Sequence, residues 1–87
     1  MPITFDHSDI KDAIETFDIK EDDYYILCED TCVYIVWCTK GDKAFGFAQN
    51  SECVSLYVKG EWFYAEELSL SFKPDPLICV RYILATI

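Results

Sequence analysis

The sequence predicts an α+β fold, in which one N-terminal amphipathic helix packs on a four- to five-stranded, mainly antiparallel sheet. Three observations lead to this prediction. Apolar residues recur at helical spacing near the N-terminus, short runs of β-branched and aromatic residues follow, and turn residues separate those runs. The chain has 87 residues and is 52% hydrophobic, which fits a single compact domain over residues 1–87.

The helical segment is predicted from residue 8 to about residue 18. Asp6 or Ser8 can cap its first turn, because a side-chain oxygen there accepts a hydrogen bond from a free backbone N–H. Four apolar residues share one helical face, which we expect to enter the core: Ile10, Ala13, Ile14 and Phe17. Residues 1–23 therefore form an acidic helical segment ahead of a β-rich segment over residues 24–87.

Strands are predicted over residues 24–28, 32–38, 44–48, 53–58 and 62–65, since these runs are rich in β-branched and aromatic residues. Between them lie short segments that contain Asp, Asn or Gly, which favour turns. The C-terminal segment, residues 77–87, carries two opposed signals. Asp75 and Pro76 are typical of a helix start, but the β-branched residues that follow favour a strand, and a strand is the prediction.

Acidic residues dominate the charge of the chain, with 16 Asp and Glu against seven Lys and Arg and a formal net charge of -9. Residues 1–30 carry a net charge of -8, and residues 31–87 carry only -1. Nucleic acid and anionic membranes repel such a molecule, so neither is expected to bind it directly. The partner that this charge favours is a basic protein.

Six acids recur at every third position from residue 6 to residue 21, and the four from residue 9 to residue 18 form an exposed acidic ridge on the polar half of the predicted helix. One interpretation is that the ridge only keeps a small hydrophobic protein in solution. The other is that its carboxylates stand in for nucleic-acid phosphates, with nearby Tyr and Trp side chains as interface anchors. On that interpretation the partner-binding residues are Asp9, Asp12, Glu15, Asp18, Glu21, Asp22, Asp23, Tyr24, Glu29, Asp30, Trp62 and Glu66.

No catalytic residues are predicted. The single histidine, His7, stands between Asp6 and Ser8, but consecutive side chains do not converge as the members of a catalytic triad do. We expect His7 to lie exposed near the helix start. The three glycines are far apart, so the sequence contains no phosphate-binding loop, and no cofactor is expected. The chain is therefore predicted not to be an enzyme.

Five cysteines cannot all form intramolecular disulfides. Cys28 and Cys32 have the spacing of a metal-ligand pair, but structural zinc usually needs a second short pair, so no metal is predicted. Core thiols in a reducing compartment are the preferred interpretation for Cys32, Cys38, Cys53 and Cys79. The first residues contain no secretory signal, and the apolar C-terminal segment is too short to span a bilayer as a helix. A soluble cytoplasmic protein is expected.

These observations favour a small acidic inhibitor that blocks the basic nucleic-acid-binding or nuclease surface of a partner protein. Phage anti-defence proteins, such as anti-CRISPR and anti-restriction proteins, share this size and charge. An immunity protein that neutralises a nuclease toxin is the first alternative. The second is a non-enzymatic assembly module, a homodimer formed through a strand edge or the C-terminal segment. The sequence does not decide between a monomer and a homodimer.

Overall fold

A computed structural model describes residues 6–30, 33–50, 52–71 and 73–87. It contains a five-stranded antiparallel sheet whose strands follow one another in chain order, with one helix before the sheet and one after it. The predicted α+β class is confirmed, and the sheet is antiparallel throughout. The helices and strands are α1 (His7–Thr16), β1 (Tyr24–Asp30), β2 (Val33–Lys40), β3 (Lys43–Gln49), β4 (Val54–Val58), β5 (Glu61–Tyr64) and α2 (Pro76–Thr86).

Two-residue turns fix the register of the sheet at one end. The β2–β3 turn contains Gly41 with φ of 66°, and the β4–β5 turn contains Gly60 with φ of 84°. Glycine adopts these positive φ values without the steric cost that a Cβ adds. The strands lie within one or two residues of their predicted positions, and the two glycine turns set the ends of β2, β3, β4 and β5 where these strands meet.

Helix α1 begins at a capping box. The Oδ1 atom of Asp6 accepts from the backbone N–H of Asp9 at 2.9 Å, and Oδ2 of Asp9 accepts from the N–H of Asp6 at 3.2 Å. The helix ends at Thr16, two residues before its predicted end, and Asp18 adopts a left-handed φ of 61°. Nζ of Lys40 donates to the carbonyl of Phe17 at 3.0 Å, which ties this end of α1 to β2.

The prediction of a strand over residues 77–87 is wrong, because this segment forms helix α2. Oδ1 of Asp75 accepts from the N–H of Ile78 at 2.9 Å, and proline occupies the first turn, where its missing N–H costs nothing. The residues that α2 buries are spaced for one helical face: Pro76, Cys79, Val80 and Ile83. Packing of this face against β4 and α1 outweighs the β propensity of the segment.

Both helices cover the same face of the sheet, which we call the inner face. Ile10 and Ile14 of α1 and Ile83 of α2 belong to one buried cluster with Val36 and Phe45 of the sheet. In the part of the chain that the structure describes, neither helix is long and apolar enough to cross a membrane. Cys38 and Cys79 lie in this core as free thiols, as predicted, and Cys53 is a half-buried free thiol.

Candidate functional site

The acidic surface of α1 borders two hollows. Asp9 and Asp12 line the first, a groove between α1 and the start of α2, together with Asp75 and Leu77. The second hollow lies at the other end of α1, and its charged lining residues are Glu15, Asp18, Lys20 and Glu21. Among the described residues lining these hollows, six side chains are acidic and one is basic, so both hollows favour a cationic occupant.

Local structure divides the acidic series that the sequence predicts as one ridge. Asp6 and Asp9 use carboxylate oxygens in the capping box, and Asp18 lies beyond the helix in a left-handed conformation. The carboxylate of Glu15 accepts from the hydroxyl of Tyr24 at 2.5 Å. Asp12 is the acidic residue of α1 best suited to a charge substitution. In the described part of the structure its carboxylate makes no hydrogen bond that stabilises the fold.

Tyr24 and Tyr25 are consecutive in β1 and point to opposite faces of the sheet. Tyr24 packs against the core on the inner face, whereas Tyr25 is 56% exposed on the other face. Burial, followed by the hydrogen bond to Glu15, raises the pKa of Tyr24 from 10.0 to about 12. The hydroxyl of Tyr24 stays protonated at neutral pH and holds β1 against α1, so this side chain is a structural contact.

The second candidate surface is the face of the sheet turned away from the helices, which we call the open face. Strand register places its residues in two rows, each crossing all five strands. The first row is Tyr25, Trp37, Gly46, Tyr57 and Trp62, and the second row is Leu27, Ile35, Ala48, Ser55 and Tyr64. None of these ten described residues is charged, in a chain with a net charge of -9.

Three aromatic rings of the first row pack together. Ring centroids lie 5.2 Å apart for Trp37 and Tyr57, 5.6 Å for Trp37 and Trp62, and 5.3 Å for Tyr57 and Trp62. These distances fit edge-to-face and tilted aromatic contacts. Gly46 makes the arrangement possible, since a Cβ there would lie 2.5 Å from the carbonyl oxygen of Val36 and 3.0 Å from the indole of Trp37.

Small residues leave a depression in the open face beside this cluster. Ala48 and Ser55 lie in a groove of ≈ 440 Å³ that Ile35, Trp62 and Tyr64 also line. Acidic side chains mark the borders of the face. Glu67 lines the groove, and at the opposite border Asp22 and Asp23 line a hollow with Tyr25 and Trp37. The open face is thus an apolar centre with acids at two edges.

The structure distributes the predicted partner-binding residues over separate surfaces. Asp9, Asp12, Glu15, Asp18 and Glu21 belong to the helical side of the molecule, whereas Trp62 lies on the open face. Asp22 and Asp23 border the open face, and Glu66 is exposed in the 3₁₀ turn after β5. Cys32 and the side chains of Cys28, Glu29 and Asp30 lie outside the described residues.

Sequence reasoning missed two parts of these surfaces. Asp75 joins the acidic groove only because α2 is a helix, and its capping signal is visible in the sequence. The open face was missed although both alternate sets of β2 residues are largely apolar. A strand with one wet face normally alternates apolar and polar residues, so this pattern indicates a second surface to be covered.

His7 is exposed at the start of α1, as the sequence predicts. Within residues 6–30, 33–50, 52–71 and 73–87, no group of three or more His, Cys, Asp or Glu residues is arranged to hold a metal ion. Comparison with protein-family models, with curated protein sequences and with solved structures finds no significant match.

Proposed function

We propose that this chain is a non-enzymatic binding protein whose acidic helical side covers a basic, nucleic-acid-binding or nuclease surface of a partner protein. The observation that carries the proposal is the pair of hollows along α1, lined by six acidic side chains and one lysine. Lys and Arg side chains of a surface that binds phosphates can enter such hollows. An inhibitor of this kind acts by occupying the site where nucleic acid binds.

The acidic charge of the hollows predicts how partner binding depends on salt. Exposed charges steer association and are screened by salt, so the complex should form quickly at low ionic strength and weaken as salt rises. The Debye length falls from about 14 Å at about 50 mM salt to about 4 Å at about 500 mM. Partner binding through the acidic hollows therefore requires a strong, negative dependence of affinity on salt.

The first experiment identifies the partner and tests inhibition. The full chain, tagged at its C-terminus, is exposed to nuclease-treated lysate of its natural host at about 50 mM and about 500 mM salt. We expect one basic nucleic-acid enzyme or effector subunit to be retained at low salt and released at high salt. The captured protein is then purified, and its cleavage or nucleic-acid binding is measured with increasing amounts of this chain.

Asp12→Lys tests the surface itself. Reversing this charge should weaken partner binding by about tenfold, mainly by slowing association. Glu52→Lys makes the same change in net charge in the β3–β4 loop and should alter affinity far less. Equal losses for both variants would assign the effect to net charge alone, and unchanged affinity for Asp12→Lys would place the partner on another surface.

Both of the predicted biological settings use this same surface. In a phage anti-defence protein the captured partner is a defence nuclease or its effector subunit, whereas in an immunity protein it is a toxin made by the same cell. The identity of the captured protein distinguishes them. If no basic protein is retained and none is inhibited, the acidic side serves solubility and the proposal fails.

A further inference from the structure

We propose that the open face of the sheet is the interface of a homodimer, in which two copies pack sheet against sheet and turn their acidic helical sides outward. The proposal is independent of the proposed function, because the open face and the helices lie on opposite sides of the sheet. Its basis is the exposure, the charge and the shape of the open face.

Most of the exposed large hydrophobic side chains lie on the open face. Of the five large hydrophobic residues that are exposed in the described part of the chain, four belong to the open face: Tyr25, Leu27, Trp62 and Tyr64. At roughly 150–250 Å² per aromatic side chain, the exposures of 56%, 45% and 59% for Tyr25, Trp62 and Tyr64 leave about 240–400 Å² uncovered. The largest apolar patch on a typical monomeric protein is about 300–600 Å² and is often functional, so the three aromatic side chains alone approach the size of a functional patch.

Leu27 is 45% exposed, and Ile35, Trp37 and Tyr57 are half-buried in the same two rows. The three exposed aromatic side chains alone provide about a third to a half of the roughly 800 Å² that each partner buries in a standard interface. The remaining members of the face add to this area. A second sheet can pack at about 10 Å from such a face, with side chains from the two sheets interdigitating.

The absence of charged residues in the two rows favours a second copy of the chain as the occupant of the open face. Two chains with a net charge of -9 repel each other, and this repulsion is weaker where they meet through uncharged residues, as in both rows of the open face. A basic partner placed there would bury Lys and Arg side chains against apolar residues without a carboxylate in the centre of the face. A twofold interface instead requires one surface that complements itself, and an uncharged apolar surface does so.

The shape of the open face also favours a second copy as its occupant. The ring cluster of Trp37, Tyr57 and Trp62 stands beside the groove over Ala48 and Ser55. A twofold axis that passes between the ring cluster and the groove places the cluster of one copy against the groove of the other. The interface also closes, because a twofold pairing leaves no open face at either end. The resulting dimer exposes two acidic helical sides and can engage a partner at two places.

Sedimentation equilibrium over about 1 to 300 µM chain tests the proposal. The full chain should sediment as a dimer of twice the 10.1 kDa chain mass. Tyr64→Lys should raise the dimer dissociation constant by about 100-fold, since the substitution enters the interface twice at its most exposed aromatic residue. An added lysine lowers the repulsion between two acidic chains, so charge alone cannot explain such a loss.

Leu77→Lys is the matched control. Leu77 is 40% exposed on α2, outside the open face, and the substitution makes the same type of change. It should leave the dimer intact, and circular dichroism should show that both variants fold. The salt dependence of the dimer should be opposite to that of partner binding. Salt screens the repulsion between two acidic chains, so the dimer should be as tight or tighter at about 500 mM salt.

Three results would overturn the proposal. The first is a wild-type chain that stays monomeric up to about 300 µM. The second is equal dissociation of the dimer by Tyr64→Lys and Leu77→Lys. The third is a Tyr64→Lys chain that loses a captured partner but keeps the dimer, which would assign the open face to that partner. Asp12→Lys should not weaken the dimer, so failure of the proposed function and failure of the dimer are separately visible.

Discussion

Substituting Gly46 by alanine should destabilise the domain and disturb the aromatic cluster on the open face. The new Cβ would lie 2.5 Å from the carbonyl oxygen of Val36, 3.0 Å from Cε3 of Trp37 and 3.3 Å from its Cζ3. Ordinary carbon–oxygen contacts between strands are about 3.3–3.6 Å, so the carbonyl must move by roughly 1 Å. That carbonyl belongs to the backbone of β2, and Gly46 lies on the adjacent strand, opposite Trp37.

The expected loss of stability can be built from these contacts. Overpacking costs about 1–3 kcal/mol, and a weakened backbone hydrogen bond adds about 1 kcal/mol. Removing glycine from a strand returns about 0.5–1 kcal/mol. The net loss of about 2 kcal/mol corresponds to a decrease in Tm of roughly 8–16 °C for a domain of this size.

Thermal unfolding followed by near-ultraviolet circular dichroism measures both effects. Gly46→Ala should lower Tm and weaken the signal from the rings packed around Trp37. Gly60→Asn is the comparison for the near-ultraviolet signal: no atom lies within 4 Å of a Cβ at Gly60, so this substitution adds backbone strain at a φ of 84° without disturbing the rings around Trp37. A Gly46→Ala protein with a Tm within about 2 °C of wild type would refute the reasoning about the close approach of β2 and β3.

Three further predictions concern the core and the helices. Asp75→Ala should reduce the free energy of unfolding by about 1 kcal/mol in denaturant titration, because it removes the cap of α2; an unchanged midpoint would contradict the cap. Burial raises the pKa values of Cys38 and Cys79 from 9.0 to about 12, so in pulsed alkylation at pH 8 these thiols should react much more slowly than Cys53, as peptide mapping can show. The pKa of Tyr24 rises from 10.0 to about 12 on folding, so its contribution to stability is complete below pH 10 and is lost as pH rises toward 12. The Tm of Tyr24→Phe should therefore fall less steeply than that of wild type between pH 10 and about 12. Identical dependence of Tm on pH in the two proteins would show that the Tyr24 hydroxyl does not contribute to stability.

Local signals determined most of the secondary structure. The capping residue Asp6, the spacing of Ile10 and Ile14, and the glycines of the two-residue turns act within a few residues of chain. Their effects are therefore readable from the sequence alone. The C-terminal segment differs because two local signals opposed each other there. The cap at Asp75 and Pro76 favoured a helix, and the β-branched residues favoured a strand.

The candidate site was predictable in its chemistry but not in its arrangement. The acids around α1 and the exposure of His7 follow from sequence pattern. The separation of Trp62 from Asp9 and Asp12 does not, because it depends on which face of the sheet the helices cover. Sequence spacing places two residues on a strand or helix, whereas the surface they share depends on packing between elements.

By itself the sequence determined the α+β class, an acidic first third and the residues that turn the chain, because these properties depend on composition and short-range contacts. Only the tertiary structure decided that residues 76–86 are helical, that Asp75 joins the acidic groove and that both helices cover one face. The free energy of burying the Val80 and Ile83 face of α2 comes from partners distant in the chain. The same packing leaves the uncharged open face uncovered, since the two helices lie on the opposite side of the sheet.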